Sequence, residues 1–134
     1  MSEIRLLGRA AAGVACAVAV LVPGVAAAAG GNTAGQSTVT LSVTATNQQT
    51  RSVTLHCDPV GGDHPQAVAA CHQLQLVDGN FQRLDARTAS NCTKDRRGVS
   101  AEAKGNWRGK PVEFRLSAAN SCSLKARTGV LFDF

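Results

Sequence analysis

Two neighbouring stretches of the chain alternate between apolar and polar residues. Positions 39, 41, 43 and 45 are Val, Leu, Val and Ala, and Thr or Ser stands between them. The stretch RSVTLHC repeats the alternation with Val53, Leu55 and Cys57 after the intervening NQQT. A period of two is typical of a half-buried strand, so the two stretches predict an antiparallel hairpin.

The next segment changes to a helical period. DPVGGDHP interrupts the alternation, and Pro65 suits the first helical position, with Asp63 or His64 as the cap. Gly79 is well placed to end the helix. Apolar residues then fall on one helical face: Ala67, Ala70, Cys71, Leu74 and Val77.

The C-terminal half returns to alternation after a weak stretch anchored by Phe81 and Leu84. VSAEAKGNW and PVEFRLSA predict a second hairpin around NWRGKP, and ANSCSLKA predicts a helical turn or an irregular link. VLFDF, a fifth alternating stretch, ends the chain with Val130, Phe132 and Phe134 on one face. The pattern predicts an α+β fold, in which an antiparallel sheet of about five strands carries one longer and one short helix.

The first residues have the pattern of a secretory signal. Arg5 and Arg9 precede an apolar stretch, and Pro23 then leads to an alanine-rich run that ends near Ala29. The apolar run is short for a membrane span, which disfavours the alternative of a retained anchor helix. We therefore expect a signal peptide at 1–29, a leader at 30–36 and one domain at 37–134. The mature protein is expected to be secreted and free of the membrane.

Charge and known catalytic motifs narrow the function classes. The chain carries a formal net charge of +5, and loss of Arg5, Arg9 and Glu3 leaves +4, because two positive charges and one negative charge are removed. The basic residues are scattered among acids and few aromatic residues accompany them, which disfavours a nucleic-acid partner. No G-x-S-x-G, phosphate-binding loop or H-E-x-x-H sequence occurs. We expect neither an enzyme nor a cofactor.

Four cysteines remain after loss of Cys16, an even number typical of disulfides in a small exported chain. Three pairings are possible. We favour Cys57 with Cys71 and Cys92 with Cys122, because each bond would tie a loop to a neighbouring regular element. A metal site built from the first pair with His64 and His72 is not expected, since the spacing lacks the close cysteine pair of zinc sites, and the histidines are expected at the surface or in turns.

One segment concentrates charge beside a cysteine. Residues 91–98, NCTKDRRG, contain almost nothing apolar and should lie on the surface. Charge runs of this kind are usually solvated turns. The segment nevertheless places Lys94, Arg96 and Arg97 where a protease that cuts after basic residues could reach them.

The chain resembles the Streptomyces subtilisin inhibitors, secreted proteins that block serine proteases. The resemblance is carried by VTLHCDPVGGDHPQAVAAC, NCTK, GNWRGKPVEF, NSC and VLFDF, in family order and spacing over almost all of the mature chain. It implies the same two disulfides, a serine protease of trypsin-like or subtilisin-like type as partner, and a homodimer formed through a sheet face away from the charged segment.

The resemblance also implies a reactive bond between Lys94 and Asp95. Asn91, Cys92 and Thr93 would lead to that bond, and Arg96 and Arg97 would follow it as further contact residues. Family members commonly carry Tyr-Asp-Pro where this chain has Arg96, Arg97 and Gly98, so proline and aromatic stiffening are lost here. The alternative function is therefore an inhibitor-fold binding or substrate protein whose altered loop no longer inhibits.

Overall fold

A computed structural model describes residues 35–85 and 91–134. The predicted signal peptide and most of the predicted leader lie outside these residues. Within them no helix is long and apolar enough to cross a membrane. The elements, in chain order, are β1 Ser37–Ala45, β2 Thr50–Cys57, β3 Gly61–Gly62, α1 Ala67–Leu76, a 3₁₀ turn Phe81–Arg83, β4 Val99–Trp107, β5 Lys110–Ala118 and α2 Ser121–Thr128.

The strands form one antiparallel sheet in the order β3-β2-β1-β4-β5. Strand β1 is central because it pairs with β2 on one side and with β4 on the other, so that Leu41 lies opposite Val53 and Ala103. Both predicted hairpins are confirmed. The alternation in β1 buries Val39 and Leu41 completely and leaves Thr38 and Thr40 exposed on the other face.

Helix α1 covers the buried face of the sheet with Ala70, Cys71 and Leu74. Its predicted start was two residues too early: Pro65 lies in a turn, and the cap position is Gln66, which makes no side-chain cap bond. His64 supports this turn by accepting a hydrogen bond from the backbone N–H of Gln66 at 3.0 Å.

Gly79 ends α1 as predicted, and its conformation explains why glycine is needed there. Its φ is +70°, and its N–H donates to the Leu74 carbonyl at 2.9 Å. A Cβ at this position would lie 2.2 Å from the ring of Trp107. The indole of Trp107 in turn donates to the Asp78 carboxylate at 3.3 Å, which joins the helix end to the β4–β5 turn.

A lysine beside the same carboxylate affects its ionisation. Lys110 Nζ lies 3.1 Å from Asp78 Oδ2. The hydrogen bond from Lys110, and after it the bond from Trp107, lower the pKa of Asp78. The carboxylate is therefore stabilised in its ionised form, at the end of the sheet opposite the start of β4.

The C-terminal segment corrects the sequence prediction. VLFDF forms turns, and its most buried residues are the consecutive Leu131 and Phe132. Phe132 packs against Phe81 and Phe114, with ring centroids 6.4 and 6.2 Å away. The fifth strand is instead Gly61–Gly62 at the edge of the sheet. The predicted number of strands and the α+β class are confirmed, but the C-terminal stretch is not one of the strands.

Candidate functional site

Residues 91–98 form an irregular loop that leads into β4. All of them are exposed except Cys92, which is half-buried. The Lys94 side chain is therefore available to a partner, as the sequence predicted.

A disulfide holds the first part of this loop. Cys92 is bonded to Cys122, the second residue of α2, with a Cα–Cα distance of 5.6 Å. The other bond joins Cys57 at the end of β2 to Cys71 in α1. Both predicted pairings are confirmed. The backbone two residues before Lys94 is thus attached covalently to a helix that packs on the sheet.

Asn120 holds the loop on both sides of the Lys94–Asp95 bond. Its side-chain amide donates to the carbonyl of Thr93 at 3.0 Å and to the carbonyl of Asp95 at 2.8 Å. The residue is only 8% exposed, so its amide is not free to turn toward water. The backbone around Lys94 is therefore held by Asn120, whereas the Lys94 side chain is exposed to solvent.

The same Asn120 also caps helix α2. Its Oδ1 accepts a hydrogen bond from the backbone N–H of Ser123 at 2.8 Å, the usual bond of an N-cap asparagine. All three polar bonds fix the side-chain plane. Asparagine before SCSLKA could have indicated a cap from sequence. The contact with the loop could not have been found, because the partners lie 25 and 27 positions away.

The charged residues after Lys94 lie in solvent. Arg97 Nε is 3.1 Å from Asp95 Oδ2, but the two side chains are 87% and 54% exposed. Such an exposed pair contributes little to stability, since water and salt screen it. Asp95, Arg96 and Arg97 therefore present their charges outward and do not hold the loop in place.

The loop ends abruptly where the sheet begins. Val99 is buried and pairs with both Ala45 of β1 and Ala118 of β5. The backbone after Gly98 is therefore paired with a strand on each side, β1 and β5. Four residues, Asp95 to Gly98, span the distance between the predicted reactive bond and this strand.

The two histidines expected at the surface or in turns differ in their burial. His72 is exposed, but His64 is only 5% exposed and its Nε2 donates to the Leu131 carbonyl at 3.2 Å. This buried position lets the imidazole join the turn before α1 to the C-terminal segment. Across residues 35–85 and 91–134, no group of three or more His, Cys, Asp or Glu side chains could hold a metal ion.

Comparison with known proteins agrees with this architecture. A family model described as subtilisin inhibitor-like matches residues 32–120. A subtilisin inhibitor from Streptomyces violaceus is 46% identical over 81 residues, which cover 59% of this chain and 56% of that protein. The protease inhibitor SIL-V1/SIL-V4 from Streptomyces netropsis is 42% identical over 86 residues, covering 63% of this chain and 78% of that protein.

A solved structure gives the same result. Sermetstatin of Streptomyces caespitosus, crystallised in complex with Bacillus licheniformis subtilisin, superimposes with a TM-score of 0.63 at 26% identity, covering 75% of this chain and all of that chain. The two relatives above are named as inhibitors and not as enzymes, in agreement with the lack of catalytic motifs. The resemblance inferred from the sequence is confirmed, and the chain belongs to the subtilisin inhibitor-like family.

Proposed function

We propose that this protein is a secreted inhibitor of serine proteases that binds them as a substrate would. Lys94 enters the specificity pocket, and the reactive bond joins Lys94 to Asp95. Asn91, Cys92 and Thr93 lie along the protease cleft before the bond, and Arg96 and Arg97 contact the protease after it.

The observation that carries the proposal is the position of Asn120 beneath the loop. Its amide bonds the carbonyls of Thr93 and Asp95, one on each side of the Lys94–Asp95 bond. A loop held in this way loses little conformational entropy when it binds, so more of the contact energy remains as affinity. It also keeps the two ends together after a protease attacks, so resealing competes with hydrolysis.

The sheet favours Lys94 over Arg97 as the residue before the reactive bond. A protease binds several residues on each side of the bond it cuts as extended, accessible backbone. For cleavage after Arg97, the second residue beyond the bond would be Val99, whose backbone is already paired with Ala45 and Ala118. Strand β4 would have to separate from its neighbours first. The Lys94–Asp95 bond leaves three residues between Asp95 and that strand.

The side chain of Lys94 suggests the class of protease. An ammonium group fits a specificity pocket with a carboxylate at its base, as in trypsin-like enzymes. The complex of the related sermetstatin with subtilisin supports a serine protease as the partner. We propose trypsin-like proteases as the principal targets and subtilisin-like proteases as secondary ones.

Titration of trypsin and of subtilisin with the purified protein tests the proposal. Stoichiometric loss of protease activity, followed by slow cleavage after Lys94, is expected. Rapid cleavage without inhibition would support the alternative, an inhibitor-fold protein that serves as a substrate. The control is a variant with Arg96→Ala and Arg97→Ala, which should change affinity only modestly. Loss of inhibition in this control would place the reactive bond elsewhere in the loop.

We further propose that the protein is exported after cleavage near Ala29. The support is the order of charge, apolar run and small residues in the first 29 positions. Expression in a secreting bacterial host, followed by N-terminal sequencing of the protein in the medium, tests this. An N-terminus at Met1 on a cell-associated protein would refute it.

We also propose a homodimer that pairs through the exposed face of the sheet. This face carries hydroxyl pairs between β1 and β2, Ser42 with Ser52 at 2.8 Å and Thr44 with Thr50 at 2.9 Å. Glu102 on β4 is bonded by Lys104 on the same face, and this contact lowers the pKa of the glutamate. A dimer formed here joins polar surfaces. Light scattering at micromolar concentration tests it, and a monomeric mass would refute it.

A further inference from the structure

The reactive loop has a second support, on the side of the bond opposite the disulfide. Thr46 Oγ1 donates a hydrogen bond to the carbonyl of Gly98 at 2.6 Å. Gly98 is the last loop residue before β4, and Thr46 lies 52 positions earlier, directly after β1. Nothing in the local sequence around either residue predicts this contact.

Thr46 belongs to a turn that is itself well held. The N–H of Ala45 donates to the Gln49 carbonyl at 2.9 Å, and the N–H of Gln48 donates to the Ala45 carbonyl at 2.8 Å. Asn47 Oδ1 accepts from the N–H of Gln49 at 3.2 Å, an Asx turn. Because the backbone on both sides of Thr46 is fixed, its hydroxyl can serve as a fixed point for the loop.

The segment that Thr46 holds has little rigidity of its own. Gly98 lacks a Cβ and has more backbone freedom than any other residue would have there. A Cβ built on it would lie 3.7 Å from Thr46 Oγ1, an ordinary contact distance, so close packing does not hold it. Arg96 and Arg97 extend into solvent. Beyond the pairing of Val99 in the sheet, restraint on this segment must therefore come from bonds made to its backbone.

This inference rests on the proposed function. In the acylation step, the serine Oγ of the protease bonds to the Lys94 carbonyl carbon and gives its proton to the catalytic histidine. The bond from that carbon to the Asp95 nitrogen breaks, and the nitrogen takes a proton from the catalytic histidine of the protease. Resealing is the reverse reaction, in which the Asp95 amine attacks the ester. Hydrolysis instead uses water, so the outcome depends on how long the amine stays near the ester.

We propose that Thr46 is a positioning residue for this resealing step. Asn120 holds the new amino end at the Asp95 carbonyl, and Thr46 holds the far end of the same segment at the Gly98 carbonyl. With both ends fixed, the segment from Asp95 to Gly98 cannot move away as a flexible tail. The β1–β2 turn therefore takes part in inhibition although it carries no residue of the reactive bond.

The test compares Thr46→Val with Thr46→Ser. Valine keeps the β-branched shape and loses the hydroxyl, whereas serine keeps the hydroxyl. Asn80→Ala is the matched control, because it removes an exposed side-chain acceptor that bonds the N–H of Gln82 and not the loop. Each protein is incubated with trypsin, and intact and cleaved forms are quantified by mass spectrometry. The midpoint of urea unfolding is measured in parallel.

Thr46→Val should be cleaved at Lys94–Asp95 about 2- to 12-fold faster than the wild type, the factor that corresponds to one neutral hydrogen bond. Thr46→Ser and Asn80→Ala should be cleaved within about twofold of the wild-type rate. The urea midpoints of Thr46→Val and Asn80→Ala should be similar, because each variant loses one exposed side-chain hydrogen bond. Equal cleavage of Thr46→Val and wild type, or an equal effect of Asn80→Ala, would overturn the role of Thr46.

The same experiment distinguishes failure of the proposed function from failure of the role proposed for Thr46. If the wild type never inhibits trypsin, the proposed function fails, but the ratio of cleavage rates at Lys94–Asp95 is still measurable. A ratio above two for Thr46→Val then supports the anchoring contact, and a ratio of one refutes it.

Discussion

Replacement of Asn120 by serine separates two tasks that one side chain performs. Serine is a good N-cap, so its hydroxyl can still accept the bond from the N–H of Ser123. It has no amide to donate to the carbonyls of Thr93 and Asp95. Asn120→Ser should therefore release the loop while it leaves helix α2 capped, whereas Asn120→Ala should lose both.

The expected magnitudes follow from the bonds that each variant loses. Two neutral hydrogen bonds contribute about 1–3 kcal/mol together. In binding terms this is about 5- to 150-fold weaker inhibition of trypsin by Asn120→Ser. Thr93 and Asp95 are exposed, so water can take the place of the lost amide, and the lower half of that range is expected. Asn120→Ala should in addition lose about 1 kcal/mol of folding stability with its cap.

Two measurements suffice for this comparison. The inhibition constant against trypsin reports on the loop, and urea unfolding followed by tryptophan fluorescence reports on the fold, since Trp107 is buried in the core. Asn80→Ser is the matched control, because Asn80 caps the 3₁₀ turn by accepting from the N–H of Gln82 and is not bonded to the loop. It should change inhibition by less than about twofold.

One outcome contradicts the reasoning directly. If Asn120→Ser inhibits trypsin as tightly as the wild type and is cleaved no faster, the two bonds from the amide do not support the loop. Inhibition would then depend on the Cys92–Cys122 bond, on the contact of Thr46 with Gly98 and on the sheet.

Three further predictions concern other parts of the molecule. Lys94→Ala should lose about 2–4 kcal/mol of binding to trypsin with unchanged unfolding, and Lys94→Arg should retain it; tight inhibition by the alanine variant would refute the assignment. The stabilisation that Lys110 gives ionised Asp78 is present above the unfolded pKa of this carboxyl and is lost as the pH falls through the lower folded pKa. Asp78→Asn should therefore flatten the acid side of the stability profile in urea titrations, and an unchanged profile would contradict this. Joint replacement of Cys57 and Cys71 by alanine should cost about 2–5 kcal/mol in urea unfolding, and an equal midpoint would argue against a stabilising role.

The strands and the first helix could be predicted because each has a strict local period. In β1 the alternation is complete from Val39 to Ala45, and only one face can meet the core. In α1 the apolar positions Ala70, Cys71 and Leu74 recur at helical spacing. A period of this kind reflects which side chains are buried, and Val39 and the three positions named in α1 are buried in the structure.

Alternation was misleading at the C-terminus because five residues are too few to distinguish a strand from successive turns. Leu131 and Phe132 are both buried, and Phe132 packs against Phe81 and Phe114. In the part of the chain that the structure describes, the segment pairs with no strand of the sheet. The edge strand Gly61–Gly62 was missed for the opposite reason. It has no side chains, so it leaves no hydrophobic pattern in the sequence.

The parts of the site that depend on tertiary contacts could not be predicted. The resemblance indicated Lys94 and Cys92 as site residues, and in the structure Lys94 is exposed and Cys92 is bonded to Cys122. The contacts of Asn120 and Thr46 with loop carbonyls join residues that are distant along the chain. Every residue has a backbone carbonyl, so the residue types of the loop do not show which carbonyl accepts a bond. His64 belongs with them, because only the fold brings Leu131 to its imidazole.

The Cys92–Cys122 bond has a consequence for how cleavage must be detected. A cut after Lys94 leaves Cys92 on the N-terminal piece and Cys122 on the C-terminal piece, while Cys57 and Cys71 both stay on the first. The nicked protein is thus a two-chain molecule of almost unchanged mass, gaining only one water. On a non-reducing gel it migrates as one band, and two bands are expected only after a thiol reductant is added. A gel run without reduction would therefore count every nicked molecule as intact, whereas mass spectrometry detects the added water.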